Sequence, residues 1–116
     1  MNPSDCIFCR IAAGEIPAHV VYQDEHVVAF RDIDPQAPMH VLVVPRRHLA
    51  SLELAGDADG GLLGHILLGA RAAARAEGCA ESGYRAVLNV GPDGGQLVPH
   101  VHVHVLGGRG LGWPPG

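Results

Sequence analysis

Hydrophobic residues in this chain cluster into short runs separated by glycine- and proline-rich turns, and five of these runs predict β-strands. The third run, MHVLVVP, is almost wholly apolar and bounded by prolines, which is typical of a central strand buried on both faces. DEH is a tight hairpin connection between the first two strands, and DPQAP is a loop. The predicted strands are a segment that begins near Val20, then HVVAFRDI, MHVLVVP, YRAVLNVG and HVHVHVLGG.

Two other segments have helical character. CIFCRIAAG predicts a short helix that is closed by Gly14. Residues 57–78 repeat apolar side chains at helical spacing and predict the one long helix, which ends at Gly78. An aspartate is expected to cap its start, and two internal glycines suggest close packing against a sheet or a second subunit. The candidate caps are Asp57 and Asp59, and the internal glycines are Gly64 and Gly69.

The order of these elements predicts the fold class. Strands joined by short turns, with one helix crossing between the third and fourth, imply a five-stranded antiparallel sheet in an α+β fold. At 116 residues the chain is expected to be a single domain over residues 1–116. A domain of this size buries roughly two thirds of its unfolded surface, so it needs no disulfide to fold.

The most unusual pattern is HVHVHV, which places His100, His102 and His104 at every second position. Period two is the period of a strand, so the histidines are expected on one face and the valines on the other, in the core. A solvated strand face normally mixes several polar residue types. Histidine is the side chain suited to proton transfer, nucleophilic attack or metal ligation near neutral pH, so this face is predicted to be functional.

Charge and cysteine content narrow the function. The net charge of -4 disfavours a nucleic acid or an anionic membrane as partner, and a small ligand is expected. The start of the chain lacks a secretory pattern, and its three cysteines are an odd number, so we expect reduced thiols and a cytoplasmic protein. Cys79 is expected to be a packing residue, and His19, His26 and His65 to be solvated or packing residues.

Two further motifs are ambiguous when taken alone. The glycines of GPDGGQ allow backbone N–H groups to turn toward an anion such as phosphate, although such loops are often only turns. CIFC is a C-x-x-C pair, which with two histidines forms a tetrahedral zinc site. A redox role requires a thioredoxin-like context that this chain does not have. Two reduced thiols packed under the sheet are the remaining alternative.

The segment HVHVHVL resembles the signature of the histidine triad (HIT) superfamily of nucleotide hydrolases and transferases. VVAFRDIDPQAP, HVLVVPRRH, GYR, DGGQ and the tail GWPPG extend this resemblance to the Hint branch of the superfamily, from Cys6 to Gly116. The resemblance implies a HIT-like fold. It also implies a purine nucleoside phosphoramidase, which cleaves the P–N bond of adenosine or guanosine 5'-monophosphoramidates through a covalent nucleotidyl-histidine.

The resemblance assigns three catalytic histidines. His102 would attack the α-phosphorus with one ring nitrogen while the other donates its proton to a backbone carbonyl. His104 would stabilise the charge that develops on the phosphate oxygens, and His40 on the neighbouring strand would complete the network. No cofactor is expected to take part in catalysis.

Nucleotide-binding residues are also implied by the resemblance. Asp32 would accept hydrogen bonds from the ribose hydroxyls, although a turn residue is a credible alternative. Phe30 and Ile33 would pack against the base, or belong to the core. Leu97 stands where several family members have a serine that contacts the phosphate or leaving group, so that contact should be missing. The implied nucleotide-binding residues are Phe30, Asp32, Ile33, Asn89, Gly95, Gln96, His102, His104 and Trp113.

Analogy with bacterial relatives implies a structural zinc ion that connects the N-terminal helix to the triad. It would use the cysteine pair, the histidine after VVPRR and the first triad histidine, which are Cys6, Cys9, His48 and His100. The relatives are homodimers joined through the long helix and the fourth strand. In such a dimer Trp113 and the tail would reach toward the partner's active site.

Three alternatives to the phosphoramidase remain. The first is a hydrolase of dinucleoside polyphosphates, a related branch of the superfamily. The second is a nucleotide-binding regulatory protein whose role does not depend on turnover. The third places all three triad histidines on a catalytic metal, which leaves the phosphate loop and Asp32 unexplained.

Overall fold

Five antiparallel strands form one sheet in the computed structural model, which describes residues 5–116. Residues 1–4, which belong to the segment considered for a secretory pattern, lie outside the described residues. The elements are α1 (Ile7–Ala12), β1 (Val20–Gln23), β2 (Val27–Arg31), β3 (Met39–Pro45), α2 (Gly60–Ala76), β4 (Tyr84–Leu88) and β5 (Val103–Gly107). The strand order is β1-β2-β3-β5-β4, so the last strand inserts beside β3. The predicted α+β class is confirmed.

The two helices cover opposite faces of the sheet. Ile66 and Ala70 of α2 belong to a core cluster with the valines of β2, β3 and β5. Phe8 of α1 packs on the other face, in a cluster with Phe30 and Leu42. Every residue of β3 is therefore buried, as its apolar run predicts. Within residues 5–116, no helix has the length and apolar character required to cross a membrane.

A glycine sets the distance between α2 and the sheet. A Cβ built on Gly69 would lie 2.9 Å from Cγ2 of Val27 and 3.0 Å from Cγ1 of Val43, which leaves no room for it. A Cβ on Gly64 would meet nothing within 4 Å. Close packing against the sheet is confirmed for Gly69 only. Gly78, with a φ of +79°, ends the helix as predicted.

Asp59 occupies the predicted N-cap position of α2, but the prediction of a side-chain cap is wrong. Residues Asp57–Asp59 form a short 3-10 turn before the helix, and no side chain caps the first turn of α2. The Asp59 carboxylate instead accepts the backbone N–H of Gly56 at 2.8 Å and pairs with Arg47. These bonds hold the pKa of Asp59 below its usual value, the Arg47 bond contributing most. The aspartate thus fixes the turn that leads into the helix.

The expectation that the fifth strand contains all three triad histidines is also wrong, because β5 begins after His102. Pro45, at the end of β3, has no N–H with which to continue the ladder. The N–H of Val101 turns away and donates to the carbonyl of Leu49 at 2.7 Å. His100 and His102 consequently lie where the chain enters the sheet, with exposures of 0% and 6%, instead of on an open strand face.

The Gly69 contact generates a prediction. We expect Gly69→Ala to lower the free energy of unfolding by about 1–2 kcal/mol, because overpacking outweighs the gain in helix propensity of about 1 kcal/mol. Gly64→Ala is the matched control, and it should raise that free energy by up to about 1 kcal/mol. Urea denaturation of the two variants measures both values. A more stable Gly69→Ala variant would contradict the packing described.

Candidate active site and metal centre

His102 is held by a bond to the backbone two residues earlier. Its Nδ1–H donates to the carbonyl oxygen of His100 at 2.7 Å, because a carbonyl oxygen accepts and cannot donate. The proton of the neutral ring is thereby fixed on Nδ1, and Nε2 keeps its lone pair. The resemblance to the HIT superfamily implies such a carbonyl bond for a nucleophilic histidine.

His104 belongs to a chain of hydrogen bonds that starts in the loop between β2 and β3. The backbone N–H of Gln36 donates to Nδ1 of His40 at 3.0 Å, and Nε2 of His40 lies 2.9 Å from Nδ1 of His104. Burial lowers the pKa of both histidines, and for His104 the nearby His102 and His40 lower it further. The structure thus brings His40, His102 and His104 together, with the rings of His102 and His104 centred 5.1 Å apart.

Asp32 lies at the edge of this network, and its two carboxylate oxygens have different neighbours. Its Oδ1 accepts the backbone N–H of Asp34 at 2.8 Å, as a turn residue does. Its Oδ2 lies 3.5 Å from Nε2 of His40. The carboxylate also borders a largely apolar cavity of about 240 Å³, so one residue joins the histidine network to that cavity.

The apolar cavity lies between α1 and β2. Phe30 and Ile33 both line it, but Phe30 is a buried core residue whereas Ile33 is fully exposed. His19, which the sequence suggests is only a solvated or packing residue, also lines the cavity. Trp113 does not line it and is 83% exposed in the tail. His26 and His65 stack on each other elsewhere, with ring centroids 3.7 Å apart.

In the glycine-rich loop, some of the N–H groups that were expected to face an anion are bonded within the loop. The N–H of Gly95 donates to Pro92 and that of Gln96 to Gly91, both inside the loop. The side-chain amide of Gln96 donates to the carbonyl of Ala50 at 2.7 Å and also bonds within the loop. Gln96 thus braces the loop. Asn89 is partly buried just after β4, and Leu97 is 92% exposed.

A second cluster lies on the other side of His102. The candidate ligand atoms of Cys6, Cys9, His48 and His100 all lie within 4.8 Å of one another. Nδ1 of His100 is 3.3 Å from Sγ of Cys6, and Nδ1 of His48 is 3.2 Å from Sγ of Cys9. Two thiols and two imidazoles at this spacing fit the tetrahedral donor set that Zn²⁺ prefers.

A hydrogen bond orients one candidate ligand of this cluster, His100, as metal binding requires. Nε2–H of His100 donates to the carbonyl of Pro45 at 2.9 Å, which leaves the Nδ1 lone pair directed at the thiols. Burial lowers the pKa of His100 to about 4, partly opposed by the Pro45 bond, so the ring is neutral as a ligand must be. Burial, with Cys6 beside it, raises the pKa of the Cys9 thiol to about 11. A bound Zn²⁺ would offset that cost by stabilising the thiolate.

Phe8 is a site residue that the sequence reasoning missed. It packs edge-on against His100 and His102, with ring centroids 5.9 and 5.1 Å apart, and against Phe30. The only available signal was the position of Phe8 inside the CIFC motif, which the zinc analogy places beside the triad. This contact places an apolar side chain beside the candidate nucleophile.

Comparison with known proteins identifies the family. Residues 13–111 match the HIT domain family. A 14 kDa zinc-binding protein from Zea mays is 49% identical over 118 residues, which cover 100% of this chain and 91% of that protein. The chain belongs to the HIT family, and the expected family membership is confirmed.

Solved structures agree with this assignment. A HIT family hydrolase from Legionella pneumophila Philadelphia 1 superposes with a TM-score of 0.92 at 54% identity, over 97% of this chain and 100% of that one. A histidine triad nucleotide-binding protein from Candida albicans superposes with a TM-score of 0.79 at 34% identity, over 95% and 83% of the two chains. The predicted HIT-like fold is therefore confirmed.

Proposed function

We propose that this protein is a hydrolase of the Hint branch that cleaves the P–N bond of purine nucleoside 5'-monophosphoramidates. The observation that supports this most strongly is the 2.7 Å bond from Nδ1 of His102 to the His100 carbonyl, which leaves Nε2 available for attack. The similarity to a HIT family hydrolase and to a nucleotide-binding HIT protein supports the same class of reaction.

The proposed reaction has two displacements at phosphorus. The Nε2 lone pair of His102 forms a bond to the α-phosphorus while the P–N bond breaks, and the departing amine keeps that electron pair and takes a proton from solvent. Water then attacks phosphorus and loses a proton, and the electron pair of the P–Nε2 bond returns to His102. Phosphoramidate and water thus yield a nucleoside monophosphate and an amine.

Neighbouring groups stabilise each stage of this reaction. The nucleotidyl-imidazole keeps its Nδ1 proton, and the His100 carbonyl accepts that proton's hydrogen bond, which stabilises the positive ring. His104, one ring away, donates a hydrogen bond to a phosphate oxygen as charge develops there. His40 orients His104 through the 2.9 Å bond between them.

The nucleoside is proposed to occupy the apolar cavity. Phe30 and Ile33 offer apolar contact to a purine base, and Asp32 offers a carboxylate for the cis hydroxyls of ribose. Asn89, Gly95 and Gln96 contribute through the loop beside the phosphate, where Gln96 braces the backbone. AMP or GMP conjugates are the substrates that fit these contacts.

Hydrolysis of dinucleoside polyphosphates is the second candidate, because the same nucleophile serves it. Binding of nucleotides without physiological turnover is the third.

The three cysteines of this chain form no disulfide, which supports a reducing compartment, and we infer that the protein acts in the cytoplasm.

Release of AMP from adenosine 5'-phosphoramidate, followed by phosphorus NMR, tests the main proposal. We expect turnover by the native protein and a loss of roughly 10⁴-fold or more in His102→Ala, because the nucleophile is removed. His65→Ala, which removes a histidine outside the cavity, should retain activity. Faster cleavage of a diadenosine polyphosphate would favour the second candidate. Nucleotide binding without any turnover would favour the third.

We also propose that Cys6, Cys9, His48 and His100 hold a structural Zn²⁺. The backbone N–H of Cys9 donates to Sγ of Cys6 at 3.4 Å, an arrangement that stabilises a thiolate. His100 belongs to both centres, because its ring faces the thiols while its carbonyl binds His102. Zinc would therefore fix the peptide that orients the nucleophile, without contact with substrate.

Metal analysis of the purified protein tests the zinc proposal. We expect one Zn²⁺ per chain, and we expect Cys9→Ser to lose it together with a few kcal/mol of stability, which lowers Tm by roughly 10 °C or more. Cys79→Ala, which alters a buried cysteine outside the cluster, should keep the metal. Native protein that contains no zinc after purification without chelators would contradict the proposal.

A homodimer is proposed from two exposed features. β4 is an edge strand of the sheet, so its outer N–H and C=O groups are available to a second copy. Leu67 and Leu68 of α2 are 59% and 50% exposed, which is unusual for adjacent leucines on a helix. Pairing of β4 with its copy would cover both features and bring the Trp113 tail toward the partner.

Sedimentation velocity of a charged variant tests this arrangement. We expect the native chain to sediment as a dimer and the double variant Leu67→Asp, Leu68→Asp as a folded monomer, because buried unpaired carboxylates oppose association. Leu54→Asp alters another leucine, 69% exposed on a 3-10 turn, and should remain dimeric. A native monomer, or a double variant that stays dimeric, would refute this interface.

A further inference from the structure

The loop between β2 and β3 presents one backbone amide to the histidine network. The N–H of Gln36 lies 3.0 Å from Nδ1 of His40. A backbone N–H donates and cannot accept, so this ring nitrogen must offer its lone pair. The proton of His40 then resides on Nε2. A doubly protonated ring would set Nδ1–H against the N–H of Gln36.

The direction of the next bond follows from this assignment. Nε2 of His40 and Nδ1 of His104 are 2.9 Å apart, and one of the two must donate. Because Nε2 of His40 has the proton, it donates the hydrogen bond, and Nδ1 of His104 accepts that bond. The proton of neutral His104 is therefore on its own Nε2, the nitrogen at the far side of the ring from His40.

We propose that the backbone amide of Gln36 is a positioning group, which fixes the tautomers of His40 and His104 so that His104 presents an N–H to the phosphate. This inference rests on the proposed function for its substrate, but the tautomers themselves do not depend on it. No side chain is needed for the effect.

The same amide also disfavours metal binding by the network. Asp32, His40 and His104 have ligand atoms within 4.8 Å of one another, a set of one carboxylate and two imidazoles that suits a divalent transition metal. Ligation by Nε2 of His40 would move its proton to Nδ1, directly against the N–H of Gln36. The Gln36 amide thus disfavours metal on this cluster.

The cysteine cluster has the opposite arrangement. The partner of His100 is the carbonyl of Pro45, which accepts a proton from Nε2 and leaves Nδ1 free for a metal. The carbonyl bonded to His100 therefore favours a metal centre, whereas the amide bonded to His40 favours a phosphate-binding centre. The two clusters lie on either side of His102.

The loop holds the amide of Gln36 from several directions. Arg109, which follows β5, donates to the carbonyl of Gln36 at 3.0 Å. The side-chain amide of Gln36 donates to the carbonyl of Asp34 at 3.0 Å, and the N–H of Asp34 donates to Asp32. These bonds hold the backbone on both sides of the Gln36 N–H, as a positioning role requires.

Long-range proton–nitrogen NMR on histidine-labelled native protein tests the proposal without any substrate. Protonated and unprotonated ring nitrogens resonate far apart, so the tautomer of each histidine is read directly. We expect the Nε2–H tautomer for both His40 and His104. An Nδ1–H tautomer at either residue would overturn the proposal, whatever activity the protein proves to have.

Two variants separate the amide from the side chain. Gln36→Pro removes the N–H and is expected to give mixed tautomers, so that the two nitrogen signals of His104 move toward each other. Gln36→Ala keeps the N–H and should keep both tautomers. In cobalt titrations of the zinc-loaded proteins we expect no added equivalent to bind to native protein and one to bind to the proline variant. A folded proline variant with unchanged tautomers would overturn the proposal. If the proline variant does not fold, the tautomers measured in native protein are the test of the proposal.

Discussion

The site depends on the position of the His100 peptide. The ring of His100 is fully buried between the thiols and Pro45, while its carbonyl accepts the Nδ1–H of His102 at 2.7 Å. Displacement of this residue would therefore disturb the proposed zinc ligands and the proposed nucleophile together. Phe8 of α1 packs against both rings and completes the enclosure. The N-terminal helix thus packs against the proposed active site but supplies no reacting atom to it.

Backbone groups, more than charged side chains, determine how these histidines behave. Backbone carbonyls accept hydrogen bonds from Nε2 of His100 and Nδ1 of His102. A backbone amide donates to Nδ1 of His40. Each imidazole has two nitrogens, and the partner of one decides the role of the other. A sheet suits this purpose because its strand ends offer carbonyls and amides in fixed directions. In the proposed function, the histidines of one sequence motif therefore act side by side as a metal ligand, a nucleophile and a hydrogen-bond donor.

The sequence allowed much of this fold to be predicted. The apolar run of β3 and the alternation at His104 reflect local periodicity, which a single sequence contains. The early end of the β3–β5 ladder was missed because it results from Pro45 meeting a chain distant in sequence. The hydrogen bond from the backbone amide of Gln36 to His40 was missed for a related reason. Backbone hydrogen bonds across loops leave no residue-type signature, since every residue except proline has the same N–H.

The proposed reaction begins when Nε2 of His102 attacks phosphorus. The most direct measurement is mass spectrometry of the protein after acid-free quenching of a single turnover with adenosine 5'-phosphoramidate. We expect a transient species heavier by one adenylyl group, with fragmentation assigning the group to His102. Adenylylation of His104 or His40, or full turnover with no covalent species at any time point, would contradict attack by His102.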